Sequence, residues 1–242
     1  MTSESKHQEH NRRIIQLFSD ISEGYDRAND RLSLGLQKKW KESLVDVALA
    51  RLPTEGCLLD VCCGTGDILE AVAKARPDIR ATGLDLTEPM LEIAQARVKG
   101  LDNVRLVSGD AMHIPFPDGE FDLVTVSFGL RNTPDYMCTL KEMARVLKHG
   151  GWLLCLDASV PDNPVVRLGF KIYFGLFMPI IGGGIRKTAE YRWLNESTWS
   201  FPRKDKLRGM LEAAGLTETG YKGFMLGSCA LHWGKRLENT AG

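Results

Sequence analysis

Leu58-Leu59-Asp60-Val61-Cys62-Cys63-Gly64-Thr65-Gly66-Asp67 passes from an apolar run through an acid into a glycine turn. An apolar run with no polar alternation suits a short strand covered on both faces. Gly64 and Gly66 let the backbone take positive φ and approach a ligand closely. Residues 67–75 carry helical spacing, so the turn opens on a helix N-terminus with free N–H groups. A strand, a glycine turn and a helix form the cradle of nucleotide-type ligands, although Gly-x-Gly alone also describes many tight turns.

Outward from this turn the same rhythm repeats. Residues 79–84, 104–107, 121–128 and 152–156 read as strands. Helices are expected at 87–98, where Thr87 caps and Pro89 lies in the first turn, and at 136–147, ended by His149-Gly150-Gly151. A helix at 204–214 and strands at 216–221 and 224–233 close the chain. Strands alternating with helices imply right-handed crossovers. The fold class is therefore α/β: a Rossmann-like, doubly wound, mostly parallel seven-stranded sheet. Before it, residues 1–10 are polar and expected to be disordered. A helix follows at 11–22, then the polar stretch Glu23 to Asp30, then a helix at 36–51 ended by Pro53. Four segments result: an N-terminal helical segment (1–52) covering the site, a core (53–160), an apolar insert (161–200) and a closing helix with final strands (201–242).

In such sheets the ligand sits beyond the carboxyl ends of the strands. Asp85 lies 19 residues after Gly66 at the second strand end, where its carboxylate can accept ribose hydroxyls. Asp110 follows Gly109 at the third, where it could receive an adenine amino group. The candidate cofactor set is Asp60, Gly64, Thr65, Gly66, Asp67, Asp85, Leu86, Met90, Asp110, Ala111 and Ser127. A dinucleotide site would want a third glycine where Leu69 stands. The remaining readings are an adenosine-bearing cofactor and plain βα turns.

The formal net charge of +0 gives no field to gather nucleic acid, which is not an expected partner. The six cysteines show no CxxC spacing and read as buried apolar groups in a reducing compartment. No metal set is expected. The polar N-terminus lacks the apolar core of a signal peptide, so the expected location is cytoplasmic.

Leu58 to Asp67 resembles the first motif of class I S-adenosylmethionine methyltransferases, and Leu84-Asp85 the second. Most members carry glycine where Cys62 stands. A finer resemblance runs from about Phe18 to Lys235, to the ubiquinone/menaquinone biosynthesis C-methyltransferase family. It is carried by Tyr25-Asp26-x-x-Asn29-Asp30-x-Leu32-Ser33-x-Gly35, Trp40-Lys41, Asp110-Ala111-x-x-Ile114-Pro115-Phe116 and Tyr191-x-x-Leu194 with Phe201-Pro202. Its most specific run is Ser127-Phe128-Gly129-Leu130-Arg131-Asn132; Arg145-Val146-Leu147-Lys148-x-Gly150-Gly151 is common to many methyltransferases. The chain departs from the family at Asp157, where Glu is commoner, at His149 in place of Pro, and at Gly182-Gly183-Gly184.

The resemblance implies S-adenosylmethionine as cofactor and methylation of a ring carbon on a polyprenylated quinol, such as demethylmenaquinol or a ubiquinone precursor. It brings Tyr25 and Asp26 over the pocket. A carbon acceptor needs a neighbouring phenol to lose its proton. Arg131 is then expected to stabilise the phenolate, with Asn132 and Tyr25 holding the ring hydroxyl or a water. Arg131 could instead bridge to Asp26 or Asp135, and Asn132 could cap a helix. His113 is the nearest histidine but sits in a loop. Residues 164–185 are apolar and aromatic, with Arg167 and Lys171 four apart; Ile172 to Ile185 is too short and broken to span a bilayer. This insert is expected to serve as a substrate lid, a peripheral membrane contact at the inner face of the membrane, or both. The sequence does not name the oligomeric state; a homodimer is one assembly it allows. Another small aromatic or heteroaromatic acceptor, and a binding protein without turnover, are the competing readings.

Overall fold

A computed structural model describes residues 3–22, 24–33, 35–172 and 188–238. The N-terminal helices are α1 (Ser3–Ile21), α2 (Tyr25–Leu32) and α3 (Leu36–Arg51). The core follows as β1 (Cys57–Val61), α4 (Asp67–Ala75), β2 (Arg80–Asp85), α5 (Glu88–Arg97), β3 (Val104–Ser108), β4 (Phe121–Ser127), α6 (Tyr136–Val146) and β5 (Leu147–Ala158). Then come α7 (Pro164–Ile172), α8 (Thr188–Ser200), α9 (Lys204–Ala213), β6 (Leu216–Phe224) and β7 (Cys229–Arg236).

The seven strands lie in the order β3-β2-β1-β4-β5-β7-β6. The first five run parallel; β7 is antiparallel to both β5 and β6. Strand order reverses between β1 and β4, so their carboxyl ends open the crevice where this kind of sheet binds ligands. Every residue of β1 is buried. Leu59 and Val61 face the layer containing Leu140 and Met143 of α6 and Leu207 and Leu211 of α9. Leu58 faces the opposite layer, with Leu44 and Ala48 of α3 and Ile68 and Val72 of α4. Burial on both faces is why the strand shows no polar alternation.

Four expectations are corrected. Residues 3–10, expected disordered, are the first turns of α1. Their polar side chains have partners on the core: His7 Nε2 donates to Asp110 Oδ2 at 2.6 Å, and His10 Nε2 to the Asn132 carbonyl at 2.7 Å. The polar stretch after Ser22 contains a helix, α2, because Asp26 pairs with Arg97 of α5 and accepts from Thr65 Oγ1 at 3.0 Å. The strand expected at 152–156 begins at Leu147, and a register shift in its pairing with β4 takes up the glycines. The last strand begins at Cys229, not 224, because Met225–Gly227 forms a 3-10 turn. Of the insert, residues 173–187 lie outside the described residues.

Candidate active site

The glycine turn is held by one carboxylate. Asp85 Oδ2 accepts the Gly64 N–H at 2.8 Å and Oδ1 the Thr87 N–H at 2.9 Å. Burial raises the Asp85 pKa and these backbone donors partly offset it. Asp60 lies behind the turn, 1% exposed, with Oδ1 accepting from the Thr125 hydroxyl at 2.6 Å. Burial pushes its pKa up to about 7 against that hydrogen bond. Gly66 takes φ 76°, and a Cβ there would come within 3.0 Å of Ala94 Cβ on α5. Asp60 and Gly66 therefore shape the turn and do not line the space in front of it.

Two cavities open beyond the strand ends. The smaller, about 710 Å3 including its open mouth, is bounded by Asp85, Leu86 and Met90 of the β2–α5 corner, Asp110 and Ala111 after β3, and Asn11, Ile14 and Phe18 of α1. In it Asp110 is already engaged: Oδ1 accepts the Met112 N–H at 2.8 Å, and Oδ2 takes both His7 and Asn11, the latter at 2.8 Å. Burial would raise the Asp110 pKa, but these donors outweigh it and the pKa falls. The larger cavity, about 1540 Å3 including its open mouth, reaches from Gly64, Thr65 and Asp67 past Trp40 and Lys41 to Val166 and Phe170 of α7. Tyr25, Cys62, Gly64, Ser127 and Phe128 line both, so they form the junction.

Arg131 lines the larger cavity from a 3-10 turn, Leu130–Asn132. Its Nη1 donates to Asp157 Oδ1 at 2.5 Å and its N–H to Oδ2 at 3.2 Å. The bridge partner is thus Asp157 at the end of β5, not Asp26 or Asp135. Asp26 is taken by Arg97 and Thr65, and Asp135 caps α6 through the Cys138 N–H at 3.0 Å. Burial pulls the Arg131 pKa down, but Asp157 more than compensates and it rises. Asn132 caps no helix. Its Oδ1 accepts from Trp193 Nε1 at 3.0 Å and its Nδ2 donates to the Phe128 carbonyl at 3.2 Å. Tyr25 packs edge-on to Phe18. The catalytic candidates divide accordingly: Arg131 in the larger cavity, Asn132 in the smaller, Tyr25 at the junction.

Two features escape sequence reasoning. Lys41 Nζ meets Asp67 Oδ2 at 2.6 Å, an ion pair in the wall of the larger cavity. Burial lowers the Lys41 pKa, but Asp67 raises it further. Lys41 stands in a segment that carried only the resemblance, and its partner is 26 residues away. The second feature is α1 itself. His7, Asp110 and His113 bring ligand-capable atoms within 4.8 Å of one another, although no metal set was expected. The His7–Asp110 hydrogen bond accounts for two of the three, and His113 lines neither cavity.

Comparison with known proteins gives the same picture. The chain is 44% identical over 232 residues to the demethylmenaquinone methyltransferase of Staphylococcus aureus strain JH9, covering 95% of each chain. Among solved structures, an S-adenosylmethionine-dependent methyltransferase from Thermotoga maritima shares the fold with a TM-score of 0.63 at 20% identity, covering 91% of this chain and 99% of that one. Another from Aquifex aeolicus gives 0.59 at 19% identity, covering 81% and 89%. The ubiE/COQ5 methyltransferase family matches residues 5–236, so the chain belongs to that family and is a methyltransferase.

Proposed function

We propose that this enzyme moves a methyl group from S-adenosylmethionine to a ring carbon of a polyprenylated quinol, demethylmenaquinol foremost. The observation that carries this reading is the pair of cavities meeting at Tyr25, Cys62, Gly64, Ser127 and Phe128. The smaller presents Asp85 and Asp110 beside Ile14, Phe18 and Met90; the larger presents the Lys41–Asp67 pair and Arg131 beside Trp40, Val166 and Phe170. The named relative at 44% identity supports the choice of quinol.

The residues present fit the cofactor. Asp85 keeps lone pairs free for ribose hydroxyls beyond its two backbone donors. The Lys41–Asp67 pair offers one cation and one anion, the complement of an amino-acid zwitterion. Asp110 can accept the adenine amino group where His7 and Asn11 now donate. Bound there, S-adenosylmethionine supplies an electrophilic sulfonium methyl. The protein's task is then to place the acceptor carbon in line and favour the phenolate that activates it. Arg131 cannot take a proton. Its charge stabilises the phenolate oxygen, and Asp157 holds it in place. Tyr25 stands at the junction to orient the ring hydroxyl.

The mouth of the larger cavity supports peripheral membrane contact. On α7, beside the cavity-lining Val166 and Phe170, Val165 and Leu168 are 76% and 60% exposed, and Leu226 of the cavity wall is 76% exposed. No helix among the described residues is long and apolar enough to cross a membrane. The apolar rim instead lets a prenyl tail pass between cavity and lipid. The test is methylation of reduced demethylmenaquinols with S-adenosylmethionine, followed by mass spectrometry. A product heavier by one methyl is expected, and an unchanged quinol pool sinks the reading. Leu168→Glu with Leu226→Glu should lower turnover of long-tailed quinol in vesicles at least ~10-fold while a short-tailed analogue in solution keeps its rate. Equal loss on both would leave the rim a purely structural role.

A further inference from the structure

Four buried polar atoms in the wall of the larger cavity have no hydrogen-bond partner among the described residues: Ser127 Oγ, Arg131 Nε, Thr198 Oγ1 and Ser228 Oγ. Buried polar atoms are almost always satisfied, so four unpaired ones on residues that line one cavity ask for a partner. Ser127 and Arg131 belong to the end of β4 and its following turn, beside the junction. Thr198 and Ser228 do not. Thr198 is fully buried on α8, and Ser228 follows the Met225–Gly227 turn, its carbonyl anchored by the Ser159 N–H at 2.9 Å. The same wall also carries Val166, Phe170, Met225 and Leu226.

This pattern has a chemical counterpart, if the acceptor is the quinol proposed above. A 1,4-quinol carries one hydroxyl beside the carbon that is methylated and another across the ring. The first has Arg131 and Tyr25. The second enters an apolar cavity too, and loses its water on doing so. We propose that Thr198 and Ser228 form a second oxygen station, which hydrogen-bonds the far ring hydroxyl and selects doubly hydroxylated rings over monophenols. A site built to pair with a hydroxyl penalises a ligand that lacks it, because its own polar atoms then stay unpaired.

The inference rests on the proposed quinol reading, and the test separates the two. Two short-tailed acceptors are compared: a 1,4-naphthalenediol and the same molecule without its 4-hydroxyl. Wild type is expected to favour the diol in kcat/KM by about 10-fold or more. In Thr198→Val with Ser228→Ala the ratio should fall toward one, mainly through a higher KM for the diol. Thr198→Val should also raise Tm in the ligand-free protein, since an isosteric change removes an unsatisfied buried hydroxyl. If wild type methylates neither compound, the quinol reading fails. If wild type methylates both equally, or the double variant keeps the wild-type ratio, the second station fails and the quinol reading stands. A lower Tm for Thr198→Val would show that the hydroxyl has a structural partner, and would also overturn the station.

Discussion

At the ends of β1 and β2 the glycine turn and the β2–α5 corner are fixed through their backbone, since Asp85 takes N–H groups from both. At the ends of β4 and β5 the surface is made of side chains fixed by other side chains: Arg131 on Asp157, and Asn132 on Trp193. That turn and corner are tied by a single carboxylate, although Asp110 beside them also takes His7 and Asn11 from α1. The side-chain half needs partners from β5 and α8, 26 and 61 residues away in sequence. A shared backbone cradle can serve one cofactor across many enzymes, while the side-chain half can change to suit the acceptor.

The sharpest way to break this contrast is the Arg131–Asp157 pair. Arg131→Ala leaves Asp157 buried with only backbone donors, a loss expected to cost roughly 3–5 kcal/mol of stability. Turnover should fall by about two orders of magnitude or more, as for removal of a group that stabilises developing charge. Cofactor affinity, measured by calorimetry at a temperature where the variant is folded, should stay within a few-fold of wild type. A comparable loss of cofactor affinity would mean that the two halves are one mechanical unit. Turnover near the wild-type rate would end the role of Arg131 in the reaction.

The same contrast explains what was legible beforehand. The sheet could be read because its buried strands are apolar without alternation, and Asp85 could be found because it ends such a strand. Asp157 as the partner of Arg131 could not: they meet only because β5 lies beside β4, and nothing near Arg131 in sequence records that. Helix α2 was invisible for a related reason. Tyr25-Asp26-Arg27-Ala28-Asn29-Asp30 has little apolar periodicity, and its placement depends on Asp26 reaching Arg97 and Thr65. The same holds for the start of α1, whose histidines look like a solvated terminus until Asp110 and Asn132 are brought opposite them. Elements fixed by long-range polar pairs leave little trace in local pattern.

Asp60 tests whether the backbone half is also tuned by charge. Its pKa of about 7 in the folded state stands above the unfolded value of 3.8. The sign follows from that order. Below about pH 4 both states are protonated and the favourable contribution is complete; it is lost as pH rises through 7, because only the unfolded state ionises freely. A gap of roughly three units at 1.36 kcal/mol each sets an upper bound of about 4 kcal/mol. Asp60→Asn should flatten the dependence: between pH 5 and pH 8 its urea midpoint should fall less than that of wild type. Parallel curves for the two proteins would show that Asp60 titrates normally. Since Asp60 lines neither cavity, cofactor affinity should move less than stability does.

The smallest effect is expected where the halves meet. Cys62 takes φ 54°, a left-handed conformation that favours glycine. The strain of a side chain in that region is of order 1 kcal/mol. The room it needs comes from the facing residue: a Cβ on Gly129 would lie 2.4 Å from Cys62 Cβ and 3.1 Å from its Sγ. The two positions therefore behave as a compensating pair across the junction. Cys62→Gly alone should change stability by less than about 1 kcal/mol, since relieved strain is offset by lost packing and by the entropy of glycine in the unfolded chain. Gly129→Ala alone should cost about 1–3 kcal/mol through overpacking. Combined, the pair should recover most of that loss, because the nearest remaining neighbour named for that Cβ is Val126 Cγ2 at 3.2 Å. A double-mutant cycle on urea midpoints reads the coupling directly, with an interaction of about 0.5–3 kcal/mol expected for residues in contact. Additive effects would mean that Cys62 and Gly129 do not share the space, and that the turn tolerates a thiol for some reason other than the glycine opposite it.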